Sequence, residues 1–394
     1  MSTLPKPAPE AEKHSEQLVL KIQDEIQSAG GWLDFARFMQ LALYATGLGY
    51  YSAGSQKFGD IKKGGGDFVT APQISPLFAQ TLANQMIQVL QLTQGSVLEL
   101  GAGTGKLAAD CLLTLAKLNG LPERYFILEV SDHLRQVQLE TLSQTLPQDV
   151  LQRVEWLNEL PQQFAGIVIG NEVLDAIPVN IVHKHANGIE VCGIAVVNHK
   201  LVWQNRPINQ HGTPSEKSLF EAVTNLNLPE GYTTEINPAA SGLMTSLATI
   251  LKNGAILMID YGFSAREYYH PQRNQGTLMC HYQHYAHTDP LIYVGLQDIT
   301  AHVDFTSIAH AAVKGGLSLS GFCSQAQFLM NCGILTLLSE VSPTDMARYA
   351  PLAAAAQKLL SPAEMGDLFK VIAFTKEIDT PLMGFLTGDK SHTL

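Results

Sequence analysis

Short apolar runs alternate with longer segments of helical spacing through the middle of the chain. The runs predict β-strands at 96–100, 124–130, 153–157 and 166–170. Apolar positions recurring every three to four residues predict helices at 105–118 and 132–146. The β-α-β-α order predicts an α/β fold with a doubly wound, mostly parallel sheet, helices on both faces and right-handed crossovers.

The residues before this region are mostly helical in pattern. Residues 1–14 are polar and proline-rich and are expected to form a flexible tail, whereas 15–46 carry the spacing of helices. The glycine-rich segment 48–70 contains four aromatic residues, which favours an ordered lid that closes over a site and excludes water. Ser75, followed by Pro76, is expected to cap the next helix.

The period changes from helical to alternating at about residue 179. The stretch VNIVHKHANGIEVCGIAVVNHKLVWQN (179–205) predicts three antiparallel strands with turns at 186–188 and 198–199. We expect these strands to form a β-rich insertion over 179–233.

The last third returns to the α/β pattern. It predicts a helix at 239–254 that Gly254 ends, a strand at 255–262, a long histidine-rich connection at 263–300 and a strand at 317–324. Residues 325–365 are expected to be helical, and 368–376 a final strand. The expected organisation is a tail at 1–14, a helical and lid region at 15–95, a cofactor-binding core at 96–178, the insertion at 179–233, the rest of the core at 234–378 and a tail at 379–394.

Composition and charge narrow the class of protein. The 394 residues are 46% hydrophobic and 15% charged, so the chain has enough apolar material for a core. The net charge of −11 argues against a sequence-independent nucleic-acid binder, which needs a basic surface. The five scattered cysteines indicate free thiols in a reducing compartment. With neither a signal core nor an apolar run of the roughly 20 residues that a membrane span needs, we expect a cytoplasmic protein.

The sequence VLELGAGTGKL at 97–107 is a candidate cofactor site. Gly101, Gly103 and Gly105 follow a strand and precede a helix, so the turn can approach a ligand closely and the helix N-terminus can face a polar group. Glu129, at the end of the next strand, is placed to accept bonds from both ribose hydroxyls of a nucleoside.

The glycine spacing distinguishes a dinucleotide cofactor from S-adenosylmethionine. A dinucleotide motif needs its third glycine at position 106, which is Lys106 here. The observed spacing, with Glu99 two residues before the first glycine, is the pattern of S-adenosylmethionine-dependent methyltransferases, in which Glu99 would face the methionine ammonium. A tight turn without any ligand is the alternative.

Polar residues follow the strand at 166–170. Asn171, Glu172 and Asp175 lie at the carboxyl end of this strand, where open α/β sheets bind their ligands. Carboxylates at this position suit a cationic nucleophile, and a guanidinium offers a planar fork of donors to them. Glu172 and Asp175 are therefore candidate catalytic residues. For both residues, capping of the following helix is the alternative interpretation.

Several longer motifs resemble one family. They are GDFVTAPQISPLF (66–78), VLELGAGTGKLA, GNEVLDAIPV, TTEINPAA, the DYG of 260–262, GTLMCHYQH (276–284) and DITAHVDFT (298–306). In this order they resemble the MidA-like methyltransferases, a family that includes the mitochondrial complex I assembly factor. The resemblance covers roughly residues 15–378.

The resemblance implies a class I methyltransferase fold and a protein arginine N-methyltransferase that produces symmetric dimethylarginine on a complex I subunit. It implies that the three glycines, Glu129, Asn171, Thr70 and Pro72 lie on the cofactor side. Gln73 belongs to the same lid motif and is expected on the substrate side. The family pattern has glutamate at this position, so the lid lacks that carboxylate here.

Further polar residues are candidates for the substrate side. Asp260 and Tyr261 end a strand, and Glu235 and His302 lie in other motifs of the resemblance. Structural hydrogen bonding is the alternative for each. His281, His284 and His287 recur every third residue, but the segment is expected to be an extended loop with only Cys280 as a thiol, so no metal site is predicted.

The sequence as a whole predicts an S-adenosylmethionine-dependent methyltransferase that acts on a protein arginine. The alternatives are a small-molecule methyltransferase, a non-catalytic S-adenosylmethionine-binding assembly factor for a respiratory complex and, least favoured, an NAD-dependent oxidoreductase. A protein presenting an arginine is the expected partner, with no nucleic acid and no membrane span.

Overall fold

The computed structural model describes residues 4–53, 70–209 and 212–394. These residues form two compact units that interleave along the chain. The first unit takes the described parts of 1–68, 175–241 and 265–302, and the second unit takes those of 69–174, 242–264 and 303–394. Among the described helices, none has the length and apolar character needed to cross a membrane.

The helices are numbered in chain order. The α-helices are α1 (Pro9–Ser28), α2 (Phe35–Tyr44), α3 (Ala71–Ile74), α4 (Pro76–Thr93), α5 (Lys106–Lys117), α6 (Asp132–Thr145), α7 (Gln148–Leu151), α8 (Pro214–Asn225), α9 (Pro238–Ile250), α10 (Ala265–Tyr268), α11 (Phe305–Lys314), α12 (Gln325–Asn331), α13 (Ile334–Ser339) and α14 (Met346–Leu360). Short 3₁₀ turns lie at Pro271–Arg273, Met383–Phe385 and Ser391–Thr393.

The strands are numbered in the same way. They are β1 (Leu33–Asp34), β2 (Ser96–Leu100), β3 (Tyr125–Leu128), β4 (Val154–Leu157), β5 (Phe164–Asn171), β6 (Asn180–His185), β7 (Gly188–Val197), β8 (Lys200–Pro207), β9 (Thr233–Ile236), β10 (Leu251–Phe263), β11 (Met279–Tyr282), β12 (Tyr285–His287), β13 (Asp298–Thr300), β14 (Val303–Asp304), β15 (Ser318–Ser324) and β16 (Phe369–Lys376).

The second unit is built on one twisted sheet in the order β4-β3-β2-β5-β10-β16-β15. Strands β4, β3, β2, β5 and β10 pair in parallel, and β16 pairs antiparallel to both of its neighbours. The chain moves outward from β2 to β4 and then returns to the other side of β2 with β5. This reversal is the topological switch point at which open α/β sheets bind their ligands. The predicted fold class, a class I Rossmann-like sheet, is confirmed.

The apolar runs of the sequence become the buried strands of this sheet. Strand β10 is buried along almost all of its length, and it joins β5 to β16. Helices α4 and α5 bury Phe78, Met86 and Leu112 in the same apolar cluster. Residues 379–394, expected to form a tail, also pack on this unit, because Leu382 and Phe385 belong to the cluster.

Glycines allow three strands to meet closely at the amino end of the sheet. Gly166 on β5 pairs with Gly254 on β10 and with Ser96 on β2. A Cβ at Gly254 would lie 1.8 Å from the Gly166 oxygen, and one at Gly166 would lie 1.9 Å from the Ser96 oxygen. The helix expected to end at Gly254 ends at Ile250 instead, because Leu251 already pairs with Phe164 in the sheet.

The first unit contains an antiparallel sheet of five strands, with β1, β7, β6 and β9 in order and β8 paired to β7. The three strands predicted from the alternating pattern are β6, β7 and β8. Their connections fall at the predicted turns, where Asn198 and His199 both adopt positive φ. Strand β9 extends this sheet beyond residue 233.

Two segments of the first unit are more ordered than the sequence pattern suggested. Helix α1 begins at Pro9, inside the expected tail, and buries Ala11 and His14. The connection at 263–300 contains a second sheet, β12-β11-β13. The expectation of an extended loop around His281 is therefore wrong. Met279–Tyr282 and Tyr285–His287 form a hairpin, with Gln283 and His284 at positive φ in its turn.

Candidate functional site

The glycine turn connects β2 to α5 at the switch point. Gly101, Gly103 and Gly105 adopt φ of +59°, +53° and +81°, a region in which a Cβ is strained. The Gly101 N–H donates to the Leu128 oxygen over 3.0 Å, which holds the turn against the end of β3. The predicted strand–glycine–helix arrangement is therefore present.

Glu129 lies directly after β3 and is almost fully buried. Its Oε1 accepts from the Ser131 N–H at 2.9 Å, and its Oε2 accepts from Gln138 Nε2 at 3.0 Å. Burial raises the pKa of Glu129, and these hydrogen bonds offset part of the rise. The carboxylate is thus held in one orientation beside the glycine turn, and it retains lone pairs for further donors.

Glu99 lies on β2, below the glycine turn. Its side chain is 2% exposed, and its Oε2 accepts from the Tyr125 hydroxyl at 2.7 Å. Burial raises the pKa of Glu99 to about 7, while the hydrogen bond from Tyr125 opposes the rise. That Glu99 faces the methionine ammonium stays a prediction.

The raised pKa of Glu99 predicts a pH-dependent stability. The folded chain holds this proton up to about pH 7, whereas an unfolded glutamate loses it near 4.5, so the Glu99 contribution is present at low pH and is lost as pH rises between these values. The difference corresponds to about 3 kcal/mol. We expect Glu99→Gln to flatten the fall in the free energy of unfolding between about pH 4.5 and 7, measured by urea titration. An unchanged slope would contradict the assignment.

The turn after β5 has an unusual backbone. Glu172 adopts φ +55°, which is uncommon for a residue with a side chain and costs about 1 kcal/mol or more. Its Oε1 accepts from Asn171 Nδ2 at 3.0 Å, and its N–H donates to the Ile259 oxygen. Among the described residues, the buried Asn171 Oδ1 has no hydrogen-bond partner. Strain and an unsatisfied buried oxygen together make this strand end a candidate binding position.

Asp260 holds this turn in place. Its Oδ2 accepts from the N–H groups of Val173 and Leu174 at 3.1 and 2.9 Å, and its Oδ1 accepts from the Tyr261 N–H. The Tyr261 ring packs edge-on against Phe369. These bonds give Asp260 a positioning role beside Glu172. Contact of Asp260 and Tyr261 with a substrate stays a prediction.

The lid motif is described only in part. Residues 54–69 lie outside the described residues, as does most of the predicted lid at 48–70. Thr70 precedes α3, and its oxygen accepts from the Gln73 N–H at 3.0 Å. Pro72 is buried and Gln73 is exposed. Ser75 caps α4 as predicted, by accepting from the Leu77 N–H.

Asp175, the second predicted catalytic acid, belongs to the first unit. It is 3% exposed, and its backbone oxygen accepts from the Ala301 N–H. Nearby, the Tyr51 hydroxyl donates to Asp298 Oδ1 at 2.9 Å. Burial, followed by the charges of Asp298 and Asp175, raises the pKa of Tyr51 well above its ordinary value. The phenol therefore stays protonated and acts as a donor.

Glu235 and His302 also lie in the first unit and share Thr277. The Glu235 carboxylate accepts from the N–H groups of Thr277 and Leu278, and the His302 N–H donates to Thr277 Oγ1. Burial lowers the pKa of His302 to about 4, so the ring is neutral near pH 7. Glu235 thus organises the loop that positions His302. A substrate contact of either residue stays a prediction.

The histidine-rich hairpin shows no metal-binding arrangement. Burial lowers the pKa of both His281 and His287. Within the ranges that the structure describes, no group of three or more histidine, cysteine, aspartate or glutamate side chains is placed to hold a metal ion.

Comparison with known proteins identifies the family. A family model described as "Putative S-adenosyl-L-methionine-dependent methyltransferase" matches residues 81–323, more than half of the chain. The chain belongs to this family. It is an S-adenosylmethionine-dependent methyltransferase, and the resemblance found in the sequence is confirmed.

Solved structures agree with this assignment. A protein from Burkholderia thailandensis, solved bound to S-adenosyl-homocysteine, is 48% identical over the full length of both chains, with a TM-score of 0.93. A second structure from that organism is 47% identical over the full length of both chains, with a TM-score of 0.91.

Curated relatives are more distant. "Protein arginine methyltransferase NDUFAF7, mitochondrial" of Danio rerio is 28% identical and aligns with 87% of this chain and 83% of its own length. The human protein of the same name is 27% identical and aligns with 89% of this chain and 81% of its own length.

The methyltransferase has residues that fit S-adenosylmethionine. When bound, this donor supplies an electrophilic methyl group on a sulfonium. The oriented carboxylate of Glu129 would accept from the ribose hydroxyls, and the glycine turn leaves no side chain in the way of the donor. The unsatisfied Asn171 Oδ1 would supply a further acceptor at the adjacent strand end. Sequence reasoning missed Gln138 and Tyr125, which hold Glu129 and Glu99, since a polar residue on a helix or strand carries no motif of its own.

Proposed function

We propose that this methyltransferase acts on arginine residues of a protein. The strained turn at Glu172 carries the proposal, because it places a carboxylate at the switch point of the sheet, where it would align a cationic acceptor. The printed names of the curated relatives support the same acceptor. We further expect the protein to be cytoplasmic. From the family resemblance, we also expect it to dimethylate the arginine symmetrically.

Glu172 has two tasks in the proposed reaction. Its carboxylate aligns the guanidinium through charge-assisted hydrogen bonds, which is the main way to accelerate an in-line displacement at a methyl carbon. A nitrogen–carbon bond forms as the carbon–sulfur bond breaks, and the sulfur keeps that electron pair. The methylated nitrogen then loses a proton to the carboxylate. No deprotonation precedes the transfer, because a guanidinium pKa exceeds about 12.

Methyl transfer into a lysate tests the acceptor. Tritium-labelled S-adenosylmethionine and the purified enzyme are added to a lysate of cells that lack this protein, and labelled proteins are separated and hydrolysed to amino acids. We expect label in methylarginine on one or a few proteins, with Glu172→Gln as the inactive control. The labelled protein also tests whether a complex I subunit, as the resemblance implies, is the partner.

Two other outcomes would reject the arginine proposal. Label confined to small molecules would identify a small-molecule methyltransferase. Absence of label in any fraction, with S-adenosylhomocysteine binding retained, would favour a non-catalytic assembly factor.

A further inference from the structure

Gln138 lies at the centre of a hydrogen-bond network in the second unit. The side chain is fully buried on α6, and its Nε2 donates both to the Gly103 oxygen and to Glu129 Oε2, each at 3.0 Å. Its Oε1 accepts from Trp156 Nε1 at 2.9 Å. One amide therefore connects the glycine turn, the strand-end carboxylate and β4, using both of its N–H donors and its oxygen.

The backbone packing around Gln138 is equally close. A Cβ at Gly105 would lie 3.1 Å from Gln138 Cα, so this turn of α6 rests directly against the glycine loop. The indole of Trp156 fixes which end of the amide is the acceptor, because an indole N–H can only donate. The amide nitrogen must then face both Gly103 and Glu129.

We propose that Gln138 is a positioning residue for the cofactor ribose. It orients the Glu129 carboxylate and sets the distance of that carboxylate from the glycine turn. The inference rests on S-adenosylmethionine use and on Glu129 as the ribose acid, but not on arginine as the acceptor. Binding measured without any acceptor therefore tests it independently of the proposed function.

Deoxy analogues of S-adenosylhomocysteine separate positioning from general support of the fold. For the unaltered enzyme, removing the 2′- or the 3′-hydroxyl is expected to weaken binding at least about tenfold, because a charged hydrogen bond is lost. In Gln138→Leu, S-adenosylhomocysteine itself is expected to bind about tenfold more weakly, and the ratio of Kd between the deoxy and the parent ligand is expected to approach about one. Isothermal titration calorimetry gives both values.

A control variant accounts for the loss of a buried amide. Gln325 in the same unit is also fully buried, and its Nε2 donates to the Leu359 oxygen. Gln325→Leu is expected to lower stability while keeping the Kd ratio of the unaltered enzyme. A Gln138→Leu enzyme that keeps this ratio, with both ligands weakened equally, would overturn the proposal.

The isosteric variant Gln138→Glu provides a second test, which does not depend on whether the Gln138→Leu enzyme is stable. It places a carboxyl against Glu129 Oε2. Two other charged groups act with Glu129, Arg135 and Glu99, and the substitution leaves both in place. Glu99 titrates near pH 7 in both enzymes, so its effect cancels when affinities are compared with those of the unaltered enzyme. At low pH the two carboxyls share a proton, which keeps the bond to Glu129 Oε2 but loses the bond to the Gly103 oxygen; at high pH the two carboxylates repel each other. We expect its affinity for S-adenosylhomocysteine, relative to that of the unaltered enzyme, to fall at least about tenfold between pH 6 and 8.5. A relative affinity independent of pH would overturn the proposal.

Discussion

Glu172→Gln is expected to lower the rate of methyl transfer about 100-fold or more, because the acceptor loses both its aligning charge and its proton acceptor. The amide keeps the size of the side chain, and the turn is still held by Asp260. Affinity for S-adenosylhomocysteine is therefore expected to change by less than about threefold. Rates are measured with the protein labelled in the lysate experiment, and binding by calorimetry.

The backbone at Glu172 offers a control that most candidate catalytic residues lack. Since Glu172 adopts φ +55°, Glu172→Gly relieves strain, and we expect the free energy of unfolding to stay the same or to rise by up to about 1 kcal/mol. The rate of transfer should nevertheless fall as far as in Glu172→Gln. A glycine variant with near-normal activity would show that the carboxylate is dispensable.

Gly254→Ala is expected to destabilise the second unit by more than about 4 kcal/mol or to prevent accumulation of folded protein. Gly254 has φ +144°, and its Cβ would lie 1.8 Å from the oxygen of Gly166. The strand could accept the methyl group only by separating from β5, which would disrupt the pairing of β10 with the sheet. Urea unfolding followed by circular dichroism measures the loss.

A second glycine in the same unit provides the comparison. Gly242 is exposed on α9, and a Cβ there would meet nothing within 4 Å. Gly242→Ala is therefore expected to stabilise the enzyme by about 0.5–1 kcal/mol, since alanine favours a helix. Equal effects of the two substitutions would show that the close contact at Gly254 is not what limits stability.

The parallel sheet could be predicted because its signal is local. The apolar runs at β2, β3 and β5 differ in period from the helices between them, and the glycine turn carries its own spacing. What the sequence could not give was the pairing of distant segments. Gly254 resembles a helix stop until it is known that β10 pairs with β5.

In the candidate site, too, some features could be predicted from the sequence and others could not. Glu129 and the glycine turn follow from a motif, and the structure finds them in the expected places. The environment of a side chain is a tertiary property. Glu235 bonds to residues some forty positions away, and Gln138 bonds to Gly103. Such contacts could be identified only in the folded structure.

The position of β16 has a consequence for folding during synthesis. This strand lies between β10 and β15, yet it is the last of the three to be made, and its partner residues on β10 precede it by more than a hundred positions. Until residue 376 has emerged, β10 and β15 each have an unpaired edge, because these two strands do not pair with each other in the finished sheet. Such edges recruit other chains. The nascent enzyme is therefore most exposed to aggregation in the interval between the completion of β10 and the arrival of β16.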